Sequence, residues 1–500
     1  MLKSKKGYFG LQLILTVLLS ILVSCKGNES KTAELTLKSL SGKNTPISQI
    51  ESSIEKVMKK AGVSGLSCAV INDGEIVYAK GFGHRHKRQG TLNDKQTIFA
   101  GASLSKTIFA YLVMKLVEEG LFELDKPLYE YLVKPFTEYA NYTDIKDDER
   151  YKDITAKIAL SHQTGFPNRR FLMEDGKLRF LFDPGARYSY SGEGIELLQM
   201  VVEEITGQDL EEMANEKIFN PLGMDRTSYV WQEEFEGNFA FPHNEFEKPR
   251  LKSKSEEASA AGSLQTTAED YARLLVDIIK AENISQGMVD EMLIPQVSIT
   301  SERMFGPGTW RETDENKDIN LSWCLGWGRF DSKHGRAFFH TGHQFGFQNY
   351  SVTYVDVGMG VVLLSNSDNF ESVAEEIIKT IIGEDESPFE WLGYEPFDPS
   401  KVRIAPPDPT AIKVDPEILS DYTGEYEFQP GRIFSIKQEQ GNLLISLEKD
   451  KWMPALAETE TSFFIQDSDY KFSFNKDDKG QVTSMIFSLR EIELECQKIK

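Results

Sequence analysis

The apolar positions of this chain fall into three rhythms. Residues 7–24 carry no charge, are rich in leucine and follow Lys3, Lys5 and Lys6. A basic start before an apolar stretch reads as an export signal. Eighteen uncharged residues are barely enough to span a bilayer, so an uncleaved anchor is the competing reading. From about Pro46 to Gly383 the rhythm alternates between strand-like and helix-like runs. Leu66–Ile71 and Glu75–Gly81 flank Asn72-Asp73-Gly74, which predicts a hairpin. Ser103 to Glu119 is a long apolar helix that Gly120 ends. Thr266-Thr267-Ala268-Glu269 opens another helix as a capping box. Strands follow at Ala337–His340, Gln348–Asp356 and Met359–Asn366, then a helix at Glu371–Ile382. Strands at both ends and helices between them predict an α+β fold. Its antiparallel sheet is built from both chain ends and flanked by the inserted helices.

The third rhythm begins after residues 384–416, which hold seven of the 19 prolines and read as a linker. From residue 417 to 500 the runs are short and β-rich: Ile433–Lys437, Leu443–Leu447, Phe463–Gln466, Tyr470–Phe474 and Met485–Leu489. Turn residues at 439–442 and 476–480 separate them. That spacing predicts a small all-β barrel or sandwich. The expected organisation is a signal at 1–24, a tether at 25–45, a large domain at 46–383, a linker at 384–416 and a β domain at 417–500.

Composition changes this picture in two places. Fifty-six Lys+Arg against 78 Asp+Glu give a net charge of -22. So acidic a chain repels phosphate backbones, which argues against a nucleic-acid partner. It argues equally against adhesion to an anionic membrane through the protein surface. Leu22-Val23-Ser24-Cys25 resembles the bacterial lipoprotein signal, in which a cysteine after small residues is lipidated and becomes the new N-terminus. The implied location is the bacterial cell envelope, with the protein exported and anchored by lipid at Cys25, facing the periplasm or the cell surface. Cys68, Cys324 and Cys496 then remain, and three thiols cannot all pair. Cys496 lies on the inward face of an alternating run and reads as a core residue.

Ser103-Leu104-Ser105-Lys106 is the strongest chemical motif. A serine hydroxyl is a weak nucleophile and needs a base. Positions three apart share a helix face, so Lys106 meets Ser103 one turn later. Alone, a serine three residues before a lysine is more often a helix cap with a surface lysine. Tyr190 stands in the run 184–192, after Pro184-Gly185, and His340 heads His340-Thr341-Gly342 at a strand end. Each alone reads as core or turn.

Together the three elements resemble the serine β-lactamase and penicillin-binding protein superfamily, closest to its class C β-lactamase and esterase branch. The nucleophile motif matches Ser103 to Lys106, the tyrosine element matches Tyr190-Ser191-Gly192, and the third element matches His340-Thr341-Gly342. Leu160-Ser161-His162-Gln163-Thr164-Gly165-Phe166-Pro167, Asn220–Met224 and Ala260–Leu264 extend the match over roughly 46–383. The β region resembles the small lipocalin-like domain often appended to this family. The resemblance implies acyl transfer through an ester on Ser103, with Lys106, Tyr190 and His340 in catalytic roles. It places the oxyanion on the backbone N–H groups of Ser103 and His343, and gives Thr341 and Gly342 to substrate binding. Whether Lys106 or Tyr190 is the base stays open, because the pair would titrate as one unit.

Two departures matter. Gly192 stands where class C β-lactamases have an asparagine whose side chain contacts the substrate amide, and His340 stands where they have lysine. Both weaken efficient β-lactam hydrolysis and leave an esterase or D-amino-acid peptidase ahead. An unperturbed His340 would titrate near pH 6.5 and make activity vary between pH 5 and 8. The expected partner is a small-molecule or peptide ester or amide. The competing reading is a non-catalytic envelope binding protein that keeps the fold. No cofactor is expected, nor a metal, since His84-Arg85-His86 has no third ligand in the pattern. Gly101-Ala102-Ser103-Leu104-Ser105 lacks the second glycine of an α/β-hydrolase elbow.

Overall fold

A computed structural model describes residues 35–500 apart from 402–403, 430, 448–450 and 490–491. The expected signal and Cys25 lie outside the described residues. Nine strands make the main sheet: β1 (Gly65–Asn72), β2 (Glu75–His86), β3 (Thr91–Leu92), β4 (Val297–Ser298), β5 (Ser322–Trp323), β6 (Gly328–Ser332), β7 (Gly335–Gln344), β8 (Phe347–Tyr354) and β9 (Met359–Ser365). Their order is β3-β2-β1-β9-β8-β7-β6-β5-β4, with every pair antiparallel. The β1–β9 seam joins the two chain ends, with Cys68 opposite Leu363. The α+β architecture read from the sequence is therefore the one observed.

Both seam strands are buried along their whole length. Side chains alternate between the faces of a strand, and here each face has its own core. Ala69, Ile71, Val362 and Leu364 pack into the larger cluster, and Cys68, Val70, Val361 and Leu363 into the other. Five helices matter for these layers: α1 (Ile47–Ala61), α2 (Ser105–Glu118), α3 (Gly192–Thr206), α4 (Ala268–Lys280) and α5 (Ala374–Ile382). α1 and α5 cover the face with Val70, while α2, α3 and α4 cover the other. Of the fourteen residues in α2, eleven are buried, so any polar group on that helix must be satisfied inside the core. Each fully buried leucine or isoleucine there contributes about 1.5–3 kcal/mol.

The β1–β2 hairpin turns through Asp73 and Gly74 at φ +51° and +75°. Two left-handed residues make the turn whose twist matches the strands. The cap of α4 sits one residue later than the sequence suggested. Thr267, not Thr266, accepts from the Asp270 backbone N–H at 3.1 Å. Thr266 is already engaged in a two-residue strand against Phe99–Ala100 and is not free to cap.

The C-terminal strands close into an eight-stranded barrel, from Gly424–Gln429 to Ile492–Lys498, with Tyr426 opposite Lys498 at the closure. A sandwich is thereby excluded. Two of its strands, Gly424–Gln429 and Met453–Ala457, went unread. The first alternates few apolar residues, and the second contains Pro454 and two alanines. The barrel interior is filled by its own aromatic side chains, among them Tyr426, Phe434, Phe463, Phe472 and Phe474. The loop 231–258 fastens the barrel to the rest of the chain. Arg250 pairs with Asp469 at 2.6 Å, Lys248 with Asp408 at 2.7 Å, and the Leu251 backbone N–H donates to Asp467 O at 2.8 Å. Within 384–416, the turn Phe389–Leu392 buries Trp391, whose Nε1 donates to Ser301 Oγ at 3.2 Å.

Candidate active site

Ser103 sits in a tight turn, Ala102–Leu104, immediately before α2. Ala102 is held at φ +49°, a left-handed conformation that alanine seldom adopts. Its neighbours over-determine it. Gly101 N–H donates to Leu264 O at 2.8 Å, and Ser105 Oγ donates to Ala102 O at 2.6 Å. Asn349 Nδ2 donates to Ala100 O at 2.9 Å and Gly101 O at 3.2 Å. Strain of about 1–3 kcal/mol can be held in such a frame.

β7 runs directly beside this turn. A Cβ added to Gly342 would lie 2.2 Å from Gly101 O, so only glycine fits at that position. Gly342→Ala should therefore displace the turn that presents Ser103. The expected result is at least a tenfold loss of activity together with a lower melting temperature, read by ester turnover and calorimetry.

Lys106 lies on the first turn of α2 and is 1% exposed. Its Nζ is 3.1 Å from Ser103 Oγ and donates to Ala261 O at 2.5 Å. Burial, reinforced by the positive charge of Arg169, pushes its pKa well below that of an ordinary lysine, against a smaller opposing pull from Glu196. Burial thus shifts the balance toward the neutral amine. Tyr190 lies across from it, with the Lys106 Nζ 5.0 Å from the ring centroid. Burial drives the Tyr190 pKa above that of free tyrosine, with Ser103 and Arg169 pulling weakly the other way. The Tyr190 hydroxyl is close enough to Ser103 to feel it, yet the two do not meet at hydrogen-bond geometry.

His340 is fully buried on β7. Its Nδ1 lies 2.6 Å from Thr341 O, a carbonyl that can only accept, so Nδ1 carries the proton and Nε2 presents a lone pair. Burial is the main force holding the His340 pKa down, to about 3. Its charge therefore does not change between pH 5 and 8, and the titration expected there from an unperturbed histidine is corrected. Thr341 follows in partial burial and Gly342 in full burial, while His343 reaches the cavity beside Ser103, its Nδ1 on Glu371 at 2.8 Å.

His162 was given no side-chain role from the sequence. Its ring packs at a tilt against Tyr190, with centroids 4.2 Å apart, and against Trp323, at 5.2 Å. Its Nδ1 accepts from the Ser191 backbone N–H at 3.2 Å, and its carbonyl accepts from Ser189 N–H at 2.9 Å. His162 thus fixes the strand-like run that carries Tyr190 into α3. Its own φ of +57° is part of that turn. The stretch 161–165 marked the position, but nothing in its pattern marked the partner. Among the described residues no group of three or more His, Cys, Asp or Glu could hold a metal ion. Ser103, His343 and Arg169 line one cavity of about 310 Å³.

The family model described as beta-lactamase matches residues 50–381. The chain belongs to the beta-lactamase family. A second model, a domain of unknown function (DUF3471), matches residues 408–500, the barrel and its approach. The chain is 21% identical to penicillin-binding protein 4* of Bacillus subtilis over 79% of this chain and 86% of that one. It is 21% identical to a teichoic acid D-alanine hydrolase of Staphylococcus aureus over 53% of this chain and 66% of that one. Its fold matches the octameric penicillin-binding protein homologue of Pyrococcus abyssi at a TM-score of 0.55, with 21% identity, over 91% of this chain and all of that one. The β-lactamase and penicillin-binding protein resemblance drawn from three short motifs is thus shown over residues 50–381.

Proposed function

We propose that this protein is a serine hydrolase that cleaves an ester or amide through an acyl-enzyme on Ser103. The observation that carries the reading is the Lys106 amine, 3.1 Å from Ser103 Oγ and buried where its neutral form is favoured. A neutral amine has the lone pair that a serine proton needs. In the first step Ser103 Oγ attacks the substrate carbonyl carbon and its proton passes to Lys106 Nζ. The carbonyl oxygen becomes an oxyanion against the backbone N–H groups of Ser103 and His343, donors of a kind worth about 2.7–4 kcal/mol each. Collapse expels the leaving group, which takes a proton from the Lys106–Tyr190 pair. Water then attacks the ester, and the same groups run the step in reverse. Tyr190 serves here as a protonated donor, because burial raises its pKa. His340 offers an uncharged acceptor at Nε2 toward the same cluster.

The substrate reading remains an ester or a D-amino-acid amide, supported by the hydrolase relatives and by Gly192 in place of an amide-bearing side chain. Envelope location through a lipid on Cys25 belongs to the same proposal and rests on the sequence alone. A serine-reactive fluorophosphonate tests the chemistry: it is expected to label the wild-type protein at Ser103. A protein that takes no label would be the non-catalytic binding protein instead.

A further inference from the structure

Arg169, which no motif indicated, reaches the same cavity as Ser103. It follows Pro167-Asn168 in the loop before the tyrosine element. A Cβ built on Gly192 would meet Asn168 O at 2.9 Å and, just beyond it, Arg169 Cζ at 3.3 Å, and one on Gly262 would lie 3.4 Å from Nη2. The guanidinium therefore lies across the space that a side chain at 192 would enter, and spans toward the opposite wall at 260–263. Glu196, on the first turns of α3, holds it by one nitrogen, with Nη1 at 2.5 Å from Oε1. The other nitrogen is left on the Gly262 side. The side chain is 29% exposed, so it meets whatever fills the cavity.

The surroundings select the ligand. In a chain of net charge -22, none of the residues lining this cavity is acidic. Ser253, Ser255, Ser259 and Ser263 surround it with hydroxyls. A guanidinium has five donors and no acceptor, and it is weakly hydrated, so its natural complement is a planar group with acceptors only. An asparagine at 192 would have offered both a donor and an acceptor to a neutral amide. Arg169 removes the acceptor and adds a charge. The same charge lowers the pKa of both Lys106 and Tyr190, which places it within electrostatic reach of the reacting groups.

We propose that Arg169 is a specificity-determining residue that binds a carboxylate on the acyl part of the substrate, so that the enzyme prefers acidic acyl esters or amides. The proposal rests on the Ser103 reading and narrows its substrate class. Binding would pair the carboxylate with the free edge of the guanidinium while Glu196 keeps the other edge in place.

Two esters of one chain length separate the effect: the mono-p-nitrophenyl ester of adipic acid and p-nitrophenyl hexanoate, each corrected for uncatalysed hydrolysis. The wild-type kcat/KM ratio, anionic over neutral, is expected to exceed ten. Both rates fall in Arg169→Gln, since Lys106 and Tyr190 feel the lost charge, but the ratio should fall a further tenfold or more. Arg169→Lys should keep an intermediate ratio. A ratio that stays within twofold of wild type in Arg169→Gln overturns the assignment. Should that variant fail to fold, Gly192→Asn, whose side chain pushes on Asn168 O and on the guanidinium and so displaces Arg169 with its loop, must lower the ratio in its place, and an unchanged ratio there is equally fatal. Fluorophosphonate labelling keeps the two proposals apart. Wild-type protein that takes label at Ser103 but shows no dependence on Arg169 refutes only the carboxylate site; wild-type protein that neither labels nor turns over ester refutes both.

Discussion

Ser103→Ala is expected to reduce ester turnover by about ten-thousand-fold or more and to abolish fluorophosphonate labelling. Residues that act as one unit in acyl transfer fail together, and loss of the nucleophile alone removes nearly all that the unit supplies. Structure gives little reason for any other effect. The Ser103 side chain is only half-buried, and the turn that presents it is held by Gly101, Ser105 and Asn349 rather than by Ser103 itself. Melting temperature should accordingly change by no more than a few degrees, equivalent to about 1 kcal/mol or less. Turnover that survives the substitution at more than a tenth of wild type would remove Ser103 from the mechanism.

Lys106→Met carries the second large effect, and it has two signs. Activity should fall by about a thousandfold, the range expected when a positioned general base is lost. Stability at pH 7 should stay level or rise. The amine is buried on a helix whose residues are otherwise mostly apolar, and burial disfavours its charged form. Its pKa in the fold lies below the value of about 10.4 in the unfolded chain. Between those two values the unfolded chain binds the extra proton, so wild-type stability rises with pH across that window. Methionine has no such proton to lose. The melting-temperature advantage of the variant should therefore shrink as pH rises from the lowered folded-state pKa toward that of a free lysine. An advantage that grows with pH, or a variant as active as wild type, would show that Lys106 is a charged structural residue. The Ala261 carbonyl, which loses its donor, sets a limit on how much stability the variant can gain.

The layered α+β fold was legible because its strongest elements obey local rules. Asn72-Asp73-Gly74 demands a hairpin, Ser103–Glu119 an apolar helix, and the runs at Ala337–His340, Gln348–Asp356 and Met359–Asn366 three strands. The barrel was legible as a β domain, but the strands with Pro454 and with few apolar residues needed long-range pairing to exist at all. Ser103, Lys106, Tyr190 and His340 were each ambiguous alone and were recognised by their order. The structure gathers them around one buried amine, where burial lowers the Lys106 pKa and raises that of Tyr190. Arg169 was not legible. It is an arginine in a polar loop, and its meaning comes from Gly192, 23 positions away, which leaves it room. His162 was visible as part of a motif, but its packing on Tyr190 depends on two loops meeting. The histidine titration failed as a sequence expectation because pKa follows burial, which residue type does not report.

The loop 231–258 is tied to the barrel through Arg250 and Leu251, and a few residues later it supplies Ser253 and Ser255 to the cavity beside Ser103. The C-terminal barrel thereby acts as a splint. Insertions on the barrel edge at 467–469 would be transmitted along two to five residues of backbone to Ser253 and Ser255 in the cavity lining. Changes on that edge would therefore reshape the cavity wall while leaving Ser103, Lys106, Tyr190 and His340 untouched.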